Sequence, residues 1–215
     1  PDKGLDEFDF QLNKMSVSGA LFDMVKLLDI GKTVISKMSA EEVYENALDW
    51  AKEYDKELEE MLEDKDFSLK VLGIERGNKK PRKDIAKWSD VKNSIIYMYD
   101  RKFFAGNVTY DYAKILDKEE IRKILKSYIE KHFDINDDKD MWFNKIKDLA
   151  EEIGYAREVK EFKANPENWP GHVGDISTVL RVALTGRQNT PDMYEIMQVL
   201  GKDSVIKRLE KAMEN

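Results

Sequence analysis

The sequence predicts an all-α fold, and three observations carry that expectation. Apolar residues recur at helical spacings of three and four along almost the whole chain, no segment keeps up the two-residue alternation of a sheet, and glycine and proline are sparse, at 11 and 5 of 215 residues. Hydrophobic residues make up 41% and charged residues 37%, enough for a sizeable core under a densely charged exterior. At this length one large domain or two small ones are both allowed. No apolar run approaches the ~18 residues of a membrane span, so a soluble protein is expected.

The first strong element opens at Ser39. Ser39 and Glu42 have the spacing of a capping box, and the stripe Val43, Tyr44, Ala47, Leu48, Ala51, Tyr54, Leu58, Met61 and Leu62 predicts one long helix over about 40–63. A second helix follows Asp66, carries Phe67, Val71, Leu72 and Ile74, and stops at Gly77-Asn78, where left-handed backbone is easy. Past a basic stretch, Ser89 is placed to cap a helix bearing Val91, Ile95, Met98 and Tyr99 that runs to about Phe104. Periodicity then lapses at Ala105-Gly106-Asn107, a natural joint. Asp117 and Glu120 repeat the capping spacing ahead of Ile121, Ile124, Leu125, Tyr128, Ile129 and Phe133. A helix over about 139–153 carries Met141, Trp142, Ile146, Leu149 and Ile153 and ends at Gly154, before a turn-rich connector with Asn165-Pro166 and Trp169-Pro170-Gly171. Three short helices close the chain: about Asp175 to Thr185, one capped by Thr190 with Pro191 at its first position, and about Lys202 to Met213.

The net charge of -7 argues against a protein that coats itself in nucleic acid, and DNA is not an expected partner. The charge is, however, segregated. Residues 41–66 hold twelve acids against Lys52, Lys56 and Lys65, whereas over 79–92 six bases (Lys79, Lys80, Arg82, Lys83, Lys87, Lys92) face only Asp84 and Asp90. Residues 101–131 carry eight bases against five acids. A local polyanion site and an ordinary set of solvated helix faces both fit this pattern.

Candidate chemistry is narrow. The absence of cysteine excludes disulfides, thiolate metal sites and cysteine nucleophiles, and suits a reducing compartment. His132 and His172 are the only imidazoles. The run Asp134-Ile135-Asn136-Asp137-Asp138-Lys139-Asp140 alternates like a calcium loop, but Lys139 and Lys145 stand where that loop needs glycine and glutamate, so a helix-to-helix turn with capping aspartates is expected. Lys37-Met38-Ser39 is followed by Ala40, Glu41 and Glu42, which put negative charge where an ATP-phosphate loop would need positive, and Ser39 is better used as a cap. Gly171-His172-Val173-Gly174 lacks the first histidine of a nucleotide-binding H-x-G-H pattern. No glycine-rich phosphate loop and no local catalytic triad pattern is present.

One segment stands out: Val179-Leu180-Arg181-Val182-Ala183-Leu184-Thr185-Gly186-Arg187-Gln188-Asn189-Thr190-Pro191. It reads as a helix end, a glycine cap, a polar loop with Arg187 and Gln188, and a new helix N-terminus. Free amides and positive dipole at such an end suit phosphate or base-edge acceptors, and an arginine fork can stack on a base or pair with its edge. An exposed helix–loop–helix without a ligand has the same local pattern.

The run Leu180-Arg181-Val182-Ala183-Leu184-Thr185-Gly186, then Thr190-Pro191, Leu200-Gly201-Lys202 and Arg208-Leu209-Glu210, resembles the C-terminal end of bacterial glutamyl-tRNA synthetases. A second string, Phe10, Leu12, Met15, Ser16, Ser18, Gly19, Ala20, Phe22, Asp23, Lys26 and Leu27, is similar to the segment that follows their catalytic domain. The resemblance implies the end of a stem-contact region at 1–38 and two anticodon-binding helical subdomains at 39–114 and 115–215. With Pro1 at its start and no initiator methionine, the chain is expected to be cut from a longer protein whose missing domain uses ATP and magnesium to attach glutamate to tRNA-Glu. This part by itself is expected to be non-catalytic, without cofactor, cytoplasmic and monomeric, with the tRNA-Glu anticodon loop as partner. The resemblance assigns base contacts to Arg181, Thr190, Pro191 and Met193, to which the loop pattern adds Arg187 and Gln188. The alternative is a helical protein-interaction scaffold that has lost RNA binding.

Overall fold

The computed structural model describes residues 11, 13 and 22–214, and its regular structure is helical throughout that range. The one extended pairing among the described residues is an isolated bridge between Ala156 and His172. None of the described helices is long and apolar enough to cross a membrane.

The helices gather around two apolar cores. The first is built by α1 (Met24–Lys37), α2 (Ala40–Tyr54), α3 (Lys56–Met61), α4 (Lys65–Gly73) and α5 (Val91–Ile95), and α6 (Asp100–Ala105) follows it in the chain. Its best-defined start is the one the sequence marks. Ser39 Oγ accepts the Glu42 amide at 3.1 Å while Glu42 returns a carboxylate to the Ser39 amide at 2.7 Å, so two otherwise orphaned donors are satisfied together. The long helix expected over 40–63 is in fact α2 and α3. Asp55 (φ -149, ψ 91) leaves the helix, and its carboxylate accepts the Leu58 amide to cap α3. The apolar stripe runs unbroken through this joint, with Ala51, Leu58, Met61 and Leu62 all buried, which is why spacing alone conceals it.

The helix expected from Ser89 to Phe104 is likewise in pieces, with 3-10 turns at Trp88–Asp90 and Ile96–Met98 flanking α5. Ser89 lies inside the first turn and does not cap it. Helix α4 stops at Gly73, four residues before Gly77, and Glu75 beyond it is left-handed (φ 57). The outer face of α1 is unpartnered among the described residues: Phe22, Met24, Val25, Leu27, Ile30 and Val34 are exposed, while Ile35 is buried in the first core. Most of the N-terminal matched string, including Phe10 and Met15 to Ala20, lies outside the described residues.

The second core is built by α7 (Lys118–Ser127), which runs into a π turn at Tyr128–His132, α8 (Lys139–Glu152), α10 (Val173–Thr185) and α11 (Met193–Met213), while α9 (Val159–Ala164) has no buried residue. The acidic run before α8 is a turn and a cap: Asp134 accepts the Asn136 amide, and Asp138 accepts the Met141 amide at 2.8 Å. No cluster of potential metal ligands occurs among the described residues. His172 caps α10, its Nδ1 accepting the Gly174 amide at 2.9 Å.

Helix α11 ties the cores together. It is two helical stretches joined at Gly201, whose φ of 76 and ψ of 164 are open in practice to glycine alone. Ile196 packs in the first core, whereas Met193, Met197, Val205 and Leu209 pack in the second. Beyond the kink, Arg208 is fully buried, at 0% exposure. Its guanidinium donates to the carbonyls of Tyr97 and Leu184 at 2.7 and 2.8 Å, to that of Met98 at 3.2 Å, and to Asp100 at 2.7 Å, and it lies 4.2 Å over the Phe103 ring. A buried cation is tolerable only when its donors are matched in this way.

Candidate nucleic-acid interface

The C-terminal half of α10 is almost wholly enclosed: Val179, Leu180, Val182, Ala183, Leu184 and Thr185 are buried, and Arg181 is the half-buried exception among them. The helix ends at Gly186 in the left-handed region (φ 68), where a Cβ would also meet Val108 Cγ1 at 2.8 Å. Glycine is required there on both counts. The chain then loops back so that Arg181 Nη1 donates to Thr190 Oγ1 and, at 2.9 Å, to the Pro191 carbonyl. Thr190 Oγ1 in turn donates to the Pro191 carbonyl at 3.0 Å. Burial pulls the Arg181 guanidinium below its usual basicity, yet an arginine starts so high that it stays charged. All these bonds use Nη1, which leaves Nη2 and Nε to serve other acceptors.

The returning turn docks on the first core. Arg187 Nη2 donates to the Asn93 carbonyl at 2.7 Å, and its guanidinium lies 4.8 Å over the Tyr97 ring. Arg82, held by Asp84 at 2.6 Å, reaches Asn189 Oδ1 at 3.4 Å. Burial pushes the Tyr97 phenol up to about 12, so it remains a neutral donor. Between these groups lies a cleft of about 270 Å3 walled by the first core and by the turn at Arg187, Asn189, Thr190 and Pro191. Ile35, Val71, Ile85, Ile95 and Met98 supply apolar surface, Arg76, Arg82 and Arg187 supply cationic donors, and Glu75 and Asp84 supply acceptors. Such a mixture suits a flat heterocycle with donors and acceptors on its rim better than a bare polyphosphate.

The structure brings five of the six sequence-nominated residues to the surface of one turn or just beneath it. Arg181, Arg187 and Pro191 are half-buried, Gln188 is exposed, and Thr190 is 6% exposed with its hydroxyl engaged by Arg181. Met193 departs from expectation: at 2% exposure it is a core residue, and in this conformation it underpins the turn and presents no face to a base.

The capping assignment changes too. Asp192, not Thr190, caps α11 by accepting the Glu195 amide at 3.0 Å, and the helix begins at Met193, two residues past Pro191. Glu75, Asp192 and Glu195 crowd that helix end, so it is no phosphate cradle: the acids would repel an anion. Sequence reasoning missed Arg82, Asn93, Tyr97 and Glu75. Only Arg82 had a signal, the basic stretch over 79–92, because the rest become neighbours of the turn through contacts some 100 residues apart in sequence.

A helical anticodon-binding region is the class to which this architecture belongs: a family model described as "Anticodon binding domain" matches residues 171–213, the segment that holds α10, the turn and α11. Over 214 residues the chain is 46% identical to a glutamate–tRNA ligase of Acetivibrio thermocellus, covering 99% of this chain and 38% of that protein. It is 44% identical over 213 residues to one of Clostridium perfringens (98% and 38%), and 43% identical over 212 residues to one of Sorangium cellulosum (98% and 37%). Over nearly its whole length the chain is thus similar to one part of these glutamate–tRNA ligases. It spans about 38% of the length of the first of these curated relatives.

Proposed function

We propose that this chain binds the anticodon loop of tRNA-Glu on behalf of a glutamate–tRNA ligase acting in the cytoplasm. The observation that carries the reading is the cleft between the first core and the returning turn, closed on one side by the Arg181-braced Thr190–Pro191 turn and on the other by Arg82 and Tyr97. An unstacked base fits there against the Arg187 guanidinium and within reach of Arg82 and Asn189, while the remaining donors of Arg181 and the exposed Gln188 amide lie on the same turn outside the cleft lining, placed for a neighbouring nucleotide. The polarity of the cleft supports base reading over phosphate gripping, which reconciles RNA binding with a net charge of -7. In this reading residues 1–38 end a stem-contact region, and 39–114 and 115–215 are the two anticodon-binding subdomains. Activation of glutamate with ATP and magnesium belongs to ligase sequence that this chain does not cover.

The test is a titration of the chain with tRNA-Glu transcripts carrying altered anticodons at several salt concentrations. The expected result is an affinity that depends on anticodon identity and falls only modestly with salt, since few phosphates are gripped. Equal affinity for all anticodons would overturn the reading, even where weak binding persists.

A further inference from the structure

Three carboxylates close a ring of hydrogen bonds at the foot of the turn, and one of them comes from the other core. The Asp192 amide donates to Glu75 Oε2 at 3.1 Å, the Glu195 amide donates to Asp192 Oδ1 at 3.0 Å, and the Glu75 amide donates to Glu195 Oε2 at 2.9 Å. Each acid accepts an amide from the next. Asp192 and Glu195 alone would make an ordinary helix cap. Glu75 extends that cap across the cleft, from the segment after α4 to the residue that follows Pro191. Cations hold the ring from both sides, Lys139 at 2.7 Å from Asp192 Oδ2 and Arg82 at 3.9 Å from Glu75 Oε2.

Glu75 meets this geometry in a conformation glycine would adopt more easily. Its φ of 57 is left-handed, and only it and Ala113 among the described non-glycine residues are so placed. A side chain kept at such a position against its backbone preference calls for a compensating role, and strained positions collect where function needs a fixed geometry. The inward-facing amide and carboxylate of Glu75 are both spent on the recognition turn and its helix.

We propose that Glu75 is a positioning residue for anticodon recognition: it fixes the height and tilt of the Thr190–Pro191 turn over the cleft through its bond to the Asp192 amide. The proposal rests on the anticodon-binding reading above. Removing the carboxylate frees the Asp192 amide and loosens the Pro191 end of the turn, which then keeps Arg181 and Lys139 there and the Arg187 and Arg82 contacts at its other end. The helix cap supplied by Asp192 is left in place, so the fold is preserved.

The informative variant is Glu75→Gly, because glycine relieves the left-handed strain while deleting the carboxylate. Its melting temperature is expected to stay within about 4 °C of the unaltered chain. Its preference for the tRNA-Glu anticodon stem–loop over one with a changed anticodon is expected to fall about tenfold, the effect of one lost bond to a charged acceptor. Amide hydrogen exchange at Asp192 should quicken at the same time, a signature that a general loss of stability would not confine to the turn. Glu75→Gln keeps a carbonyl oxygen for the Asp192 amide and is expected to restore the preference. If the unaltered chain discriminates between anticodons and Glu75→Gly does so equally well, the positioning role is wrong while anticodon binding stands. If Glu75→Gln fails to recover what Glu75→Gly loses, the bond to Asp192 is not the cause and the proposal falls. If the unaltered chain does not discriminate at all, the anticodon-binding reading fails first and takes this one with it.

Discussion

Arg181 and Arg208 sit in helices of the same core, the first half-buried and the second fully buried, and their surroundings give them different work. Arg181 spends one nitrogen on Thr190 and Pro191 and keeps the rest of its fork available, whereas Arg208 spends every nitrogen on the protein. Arg181→Ala is therefore expected to cost about 1–3 kcal/mol of binding to the cognate anticodon loop, with weaker discrimination at one base and little change in unfolding free energy. A uniform loss across all anticodons in the same titration would assign Arg181 to phosphate. Arg208→Ala acts on folding: it strands the carbonyls of Tyr97, Met98 and Leu184 in a dry interior, and a loss of about 3 kcal/mol in urea unfolding is expected. The partner Asp100 is half exposed and can rehydrate, which keeps the figure at the lower end of what breaking a buried pair costs.

At the scale of helices, ends decide more than middles. Gly186→Ala forces a Cβ into a left-handed residue and against Val108, and should destabilise by about 1–2 kcal/mol in thermal unfolding while pushing the recognition turn outward. The seam between α7 and α8 gives a pH test. Glu152 is held down to about 2, first by Lys131, then by His132 at 3.0 Å, with Ser127 adding a further bond. A carboxylate depressed in the folded state favours folding above its unfolded value and loses that contribution as pH falls toward the folded one. Stability measured between pH 5 and pH 2 should thus drop less steeply in Glu152→Gln, whose side chain does not titrate. Ends were also the boundary of what the sequence discloses. Ser39, Asp138, Gly154 and Gly186 act on their own helices and could be read directly, because cap and capped amide are three or four residues apart or less. Asp55 could not, since its break lies inside a stripe that stays apolar, and Thr190 was misassigned because a hydroxyl beside proline looks like a cap until Arg181 is seen to claim it.

The molecule as a whole is two cores that share one helix, and the cleft lies where the 187–191 turn meets the first core. That is why Arg181, Arg187, Gln188, Thr190 and Pro191 were legible, lying in one stretch of chain, and why Tyr97, Asn93 and Glu75 were not: each joins the turn from a segment whose local pattern says only helix or loop. Since Ile196 is buried in the first core and Val205 and Leu209 in the second, heat or urea should unfold both in one transition, monitored equally by Trp88 of the first core and Trp142 of the second. Two resolved transitions would show that α11 does not bind the halves into one cooperative unit. Arg208 adds a final consequence. Its acceptors at 97 and 98 are main-chain oxygens, present whatever side chains occupy those positions, so a tail transplanted from a relative that brings its arginine needs the host to keep the Asp100 carboxylate and can ignore the host's choice at 97 and 98. Chimaeras joined before this helix should tolerate divergent sequence at those two positions and fail when Asp100 is lost from the receiving surface or when the incoming segment has a shorter, uncharged residue in place of the arginine.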